Sequence, residues 1–93
     1  MTQQNATVQD TLAERGERYG KFVYHASIAQ ELKLTMKTTP GWNRLDYCQM
    51  EALEMIAHKI ARILNGDPNY VDSWHDIAGY AMLVEGDLNG KEI

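Results

Sequence analysis

Glu51 and Glu54 share one side of a helical stretch, with His58 and Arg62 one and two turns further on. Asp72 and Asp76 lie one turn apart in the next helical stretch. If the two helices run antiparallel and turn their polar arcs to one groove, carboxylates from both sides meet. A hard divalent cation such as Mg²⁺ takes oxygen ligands in octahedral geometry, and Glu51, Glu54 and Asp76 would hold it. Such an ion can bind nucleotide phosphates and activate a water. The same residues also have a reading without metal. Glu54 and His58 then form an exposed pair one turn apart, and Glu51 is solvated. Asp72 caps the last helix, and Asp76 pairs with Arg62 or Lys59 to hold the two helices together.

A second set of residues suits anions and aromatic rings. Arg15-Gly16-Glu17-Arg18-Tyr19-Gly20-Lys21 places three cations and one aromatic among two glycines. Read as a loop, it lets a ligand approach the backbone at glycine, with arginine on a phosphate and tyrosine on a base. Its plainer reading is a surface turn with Tyr19 packed on the core. Lys33 and Lys37 lie one turn apart at the edge of an apolar arc, where they either meet an anion or snorkel. Trp42, beside Arg44, either plugs a loop onto the core or serves as a stacking platform. The ligand-binding set expected from residue type is therefore Arg15, Arg18, Lys33 and Arg62 on phosphates, Tyr19 or Trp42 on a base, and His58 beside them. His25 stands inside an apolar arc and reads as a satisfied core or interface histidine.

Other chemistries find little support. No glycine-rich phosphate loop of the Walker kind and no zinc spacing occur. Cys48, the only cysteine, is out of helical phase with His58, which argues against a nucleophilic pair within that helix. Neither of the last two helices offers a basic face for duplex DNA.

The elements that must position these residues are helical. Few β-branched runs and two prolines point to an all-α chain. Residues 1–6 are expected to fray. Thr7 and Asp10 mark a first helix running to about Arg15, with Gly16 breaking it. Phe22 to about Thr38 forms a second helix whose inward arc is Phe22, His25, Ile28, Ala29, Leu32 and Met36. Pro40-Gly41 breaks the chain. Asp46 caps a third helix, with Gln49 completing a capping box, and that helix runs to Leu64 with Gly66 as a left-handed cap. The connection through Asp67-Pro68-Asn69-Tyr70 is so short that the third and fourth helices must be antiparallel neighbours. The fourth helix begins near Val71 or Asp72 and ends near Glu85 or Gly86, leaving 87–93 as a loose tail. It is apolar nearly all round, with Trp74, Ile77, Ala78, Ala81 and Val84 as the main stripe. Such a helix is central in its domain or shared between subunits. The expectation is one helical domain over 1–93, a compact bundle of one short and three longer helices that self-associates.

Composition narrows the setting. Ninety-three residues make one domain with a modest core. A single cysteine fits a reducing cytoplasm. No apolar run reaches a membrane span, and the polar start lacks the order of a secretory signal. A net charge of −4 argues against non-specific nucleic-acid binding while leaving room for a local basic pocket.

Three stretches then carry a resemblance: Arg15 to Gly20, Glu51 to Asp67, and Asp72 to Ala81. Together they look like a family of small bacteriophage and prophage proteins, which implies a viral source and the host cytoplasm. More distantly, Glu51-Ala52-Leu53-Glu54 and Asp76 followed by Ile77-Ala78-Gly79-Tyr80 resemble the two metal-binding motifs of the all-α, MazG-like nucleoside triphosphate pyrophosphohydrolases. The chain departs from that pattern: Ser73 stands where the second motif has Glu, and Met50 where the first has an extra acid. The resemblance implies a site that binds a nucleotide with or without hydrolysis. The leading expectation is a phage protein that binds a nucleotide or a nucleotide-derived signal, in nucleotide metabolism or in sequestering a host immune messenger. The alternatives are a counter-defence inhibitor that docks on a host defence complex and a Mg²⁺-dependent pyrophosphohydrolase.

Overall fold

The computed structural model describes residues 7–91, so the expected fraying of residues 1–6 and the last two residues of the tail lie outside it. All regular structure among the described residues is helical: α1 (Val8–Tyr19), α2 (Phe22–Lys37), a 3-10 turn (Pro40–Arg44), α3 (Tyr47–Asn65) and α4 (Val71–Leu88). No helix among them is long and apolar enough to cross a membrane.

Two of the starts follow from local chemistry. Thr7 accepts from the Asp10 amide while Asp10 reaches back to the Thr7 amide, and Asp46 and Gln49 close the same box at α3. Each box satisfies two orphan amides and is worth about 1 kcal/mol. The ends differ from expectation. Gly16 does not break α1: a glycine inside a helix costs only about 1 kcal/mol, and its carbonyl accepts from the Gly20 amide at 2.9 Å. Gly20, at φ 77°, is the residue that stops the helix. Arg15, Arg18 and Tyr19 therefore sit on the closing turns of a helix, not on a loop. Gly66 is not left-handed; its φ is −133°. It is needed for space, since a Cβ there would overlap the Arg18 carbonyl and the Tyr19 Cα. At the far end α4 runs on to Leu88, so only the first residues of the expected loose tail are helix.

α3 packs against α2 on one side and α4 on the other, and α2, α3 and α4 lie in a row. Three pairings show that α3 and α4 are antiparallel as expected. Lys59 meets Asp76 near the linker, Ile56 shares a groove with Ala81 further along, and the charge of Asp87 reaches Cys48 beyond that. A layer one helix thick cannot enclose large side chains. The buried residues among those described are Ala29, Ala52, Ala57 and Ala61 with His25 and Ser73, and no large side chain is fully buried. The radius of gyration is 16.0 Å, against about 12 Å for a compact domain of this length. The compact bundle is thus replaced by an open layer with α3, not α4, at its centre.

The rotation of α4 also differs. Ser73, Asp76, Ile77, Tyr80 and Val84 are at least partly covered, whereas Trp74, Ala78 and Ala81 of the expected stripe are exposed. A helix apolar on every side leaves its rotation to polar partners. Here Lys59 takes Asp76 at 2.9 Å, and small Ser73 fits the seam at 3% exposure. On α2 the expected arc is covered except for Phe22, which stands at the helix start 77% exposed.

Candidate functional site

The two interhelix junctions at one end of the layer cross each other and are tied together. The Asp67 amide donates to the Arg18 carbonyl at 2.7 Å. The Asn65 side-chain amide donates to the carbonyls of Tyr19 at 2.7 Å and Lys21 at 3.0 Å. Gly20 and Gly66 permit this approach, because a Cβ on Gly20 would overlap the Asn65 carbonyl. Side chains continue the clamp. The Arg62 guanidinium lies 4.2 Å above the Tyr19 ring, Tyr19 meets Tyr70 edge-on at 6.0 Å, and Arg18 lies 4.3 Å above Tyr70. Each such cation–π contact contributes roughly 0.5–1 kcal/mol at exposed sites.

Beside this clamp opens a cleft of about 650 Å³ between α1, the start of α2 and the second half of α3. Arg15, Lys21 and Arg62 bring positive charge to it, and Tyr19, Phe22, His25 and His58 bring rings. No carboxylate lines it among the described residues, in a chain whose net charge is −4. Its volume falls in the range of small-molecule sites, about 300–1,000 Å³.

At its floor two imidazoles meet. His25 Nε2 and His58 Nδ1 are 3.4 Å apart, and the rings are T-shaped at 4.6 Å. His25 is 5% exposed and its Nδ1 has no partner. If His25 Nε2–H donates to His58, that Nδ1 is left as a lone pair and no buried N–H is orphaned. Burial first, then the nearby Arg62 charge, lowers the pKa of both rings, and His58 falls to about 4. Both are neutral at pH 7, so the fixed positive charge comes from the arginines and Lys21.

The structure brings together Arg15, Tyr19, His58 and Arg62 of the expected ligand set. It does not bring the others. Arg18 is turned to Tyr70 and Glu14. Lys33 lies outside the cleft, though its charge still reaches both histidines. Trp42 follows the far end of α2, a helix of 16 residues, hence about 24 Å from its start. Tyr19 has one face occupied by Arg62, which leaves Phe22 as the open ring. Lys21, Phe22 and His25 are charged or aromatic lining residues absent from the expected ligand set. The available signal was the pair of glycines, one closing α1 and one closing α3, which marks a close backbone approach.

The acidic set is not assembled. Glu54 binds Lys37 of α2 at 3.2 Å, Asp76 binds Lys59 at 2.9 Å, and Glu51 is exposed. Glu54 and Lys59 are five residues apart, about 140° around α3, so Glu54 and Asp76 end on opposite flanks of that helix. Asp72 accepts from the Tyr70 hydroxyl at 2.8 Å instead of capping α4. Among the described residues no three His, Cys, Asp or Glu side chains form a metal-holding group, and the Glu51–Glu54–Asp76 set does not fit Mg²⁺. The Lys59 hydrogen bond keeps the Asp76 carboxyl below its ordinary pKa, which is the metal-free pairing considered above.

A family model described as a domain of unknown function, DUF6378, matches residues 4–87. No curated protein and no solved structure matches the chain.

Proposed function

The chain belongs to the DUF6378 family, and on that premise we propose that it binds a small phosphate-bearing ligand with an aromatic ring, a nucleotide or nucleotide-derived signal, in the cleft between α1, α2 and α3. The observation that carries this reading is the charge of the lining: three cations and two neutral imidazoles, with no carboxylate among the described residues, on an acidic chain. Arg15 and Lys21 are exposed and free to meet phosphate oxygens, with Arg62 behind them. Phe22 offers the ring face for a base, in the role expected of Tyr19. The reading is of a binding protein without a metal step, because the only acidic set proposed for Mg²⁺ is divided between two lysines. The setting proposed with it is the cytoplasm of a phage-infected cell, where the ligand is a metabolic nucleotide or a host immune messenger, and the protein is an oligomer.

The test is calorimetric titration and thermal shift with adenosine, AMP, ATP, cyclic AMP and inorganic phosphate, without added metal. Phosphate-bearing nucleotides are expected to bind and to raise the unfolding midpoint, and adenosine to do neither. Arg15→Glu, on an exposed side chain that holds nothing else, is expected to weaken binding at least about tenfold, or 1.4 kcal/mol. Equal binding by the Arg15→Glu variant, or no binding by any of the panel at millimolar concentration, overturns the proposal.

A further inference from the structure

No helix packs on the outer face of α4 among the described residues, although it is the more apolar side of that helix. Its contacts lie at the rim, where the Trp74 indole N–H donates to the Pro68 carbonyl at 2.8 Å and Ala81 borders the groove against α3. Val71, Trp74, Met82 and Leu88 on this face are 71%, 55%, 68% and 65% exposed, and Ala78 and Ala81 between them are exposed as well. A contiguous apolar strip of this kind marks a contact surface. Its spacing is a repeat of seven: Val71, Ala78 and Glu85 at one position, Trp74, Ala81 and Leu88 at the other. That is the seam of a packed helix pair. Asp72, Asp76 and Asp87 point away from it by the helical phase, so the polar side chains on the seam side are His75 and Glu85.

We infer that this face is covered by α4 of a second copy, antiparallel, about a two-fold axis at the midpoint of the helix. The pattern is complementary to itself in that register. The midpoint of Val71–Leu88 falls between Gly79 and Tyr80. Ala78 then lies against the partner's Ala81, where small side chains let the helices approach closely. Val71 lies against the partner's Leu88. Trp74 lies against the partner's Glu85, which places that carboxylate next to the N–H groups of His75. A parallel pair would set Glu85 against the partner's Glu85 and Trp74 against the partner's Trp74, leaving two like charges together. The alanine-only core and the one-helix layer give the second copy its energetic reason. A small chain that encloses no large side chain gains the missing burial by association. No α4 residue lines the cleft, so this contact and ligand binding can fail independently.

The experiment is sedimentation equilibrium on the full chain at micromolar concentration. The expected mass is twice the protomer's 10.6 kDa. Ala78→Glu, at an exposed site, is expected to give a folded monomer by circular dichroism. His75→Glu should raise the dimer Kd about tenfold, and adding Glu85→His should bring it back, which only the antiparallel register explains. In a Cys48→Ala background, Ala78→Cys together with Ala81→Cys should form a disulfide-linked dimer under mild oxidation, whereas Leu34→Cys on α2 should not. A wild-type mass of 10.6 kDa, a dimer indifferent to Ala78→Glu, or equal cross-linking of the α4 and α2 variants would overturn the inference.

Discussion

The two ends of the helical layer are built on different physics. At the junction end, backbone meets backbone through Gly20 and Gly66, Asn65 and Asp67 close the hydrogen bonds, and arginines lie on tyrosines. At the opposite end, Leu45, Leu53, Ile56, Ala81 and Val84 leave an open apolar groove of about 340 Å³. The first end is specified by groups that tolerate no added atom. The second is specified by volume alone and accepts variation. The cleft belongs to the first end, which is where a binding site needs rigid walls.

Gly66→Ala should break this contrast most severely. The added methyl overlaps the Arg18 carbonyl and the Tyr19 backbone, so either the junctions separate or the cleft deforms. A loss of about 3 kcal/mol is expected from such overpacking, read by urea denaturation. Leu53→Met, at the open end on a side chain 40% exposed, should change stability by less than about 0.5 kcal/mol. Equal losses at the two positions would show that the junction end is no more tightly specified than the other.

Acid should act through the same end. Burial holds His25 and His58 neutral in the fold, with His58 at about 4 against an ordinary value of 6.5. The unfolded chain therefore takes up protons first as pH falls. The histidine contribution to stability is full above pH 6.5 and is lost progressively as pH falls toward 4. Asp76, its carboxyl kept low by Lys59, adds its own loss only below its ordinary value of 3.8. Thermal unfolding between pH 7.5 and 4 should show a falling midpoint in the wild type. The slope should flatten in His58→Gln, which keeps a polar side chain without the titration. A bound anion opposes this loss by favouring the protonated rings, so ligand affinity should rise over the same interval.

What the sequence made legible was local. Both capping boxes need only two residues three positions apart, and both formed. The antiparallel α3–α4 pair needed only a short linker. What it left open was rotation about helix axes. α4 is apolar on all sides, so its period cannot say whether Ser73 or Trp74 faces α3, and the choice fell to Lys59 and Asp76. The same ambiguity hid the division of the acids: Glu54 looks to α2 and Asp76 to α3, a fact set by two neighbours of α3 at once. Ser73 is small enough to be buried where α4 meets α3, at 3% exposure. His25 was legible as a covered histidine but not as the floor of a cleft, since its contact with His58 spans 33 residues.

Gly16 gives the gentlest comparison, because it stands a few residues from Gly20 and has none of its constraints. Read as a loop residue, Gly16 would be required for backbone freedom or for ligand approach. In the structure it lies inside α1 with helical backbone, and an added Cβ meets nothing within 4 Å. Gly16→Ala should therefore stabilise α1 by roughly 0.5–1 kcal/mol by removing glycine's excess backbone entropy. The gain should appear as slower amide exchange across Val8–Tyr19, with little effect on the rest of the chain, because α1 buries none of its residues. Gly20→Ala should do the reverse, since its φ of 77° and the Asn65 carbonyl both exclude a side chain. If the two substitutions have the same sign, the helix does not run through Gly16, and the Arg15 side chain does not stand where the cleft requires it.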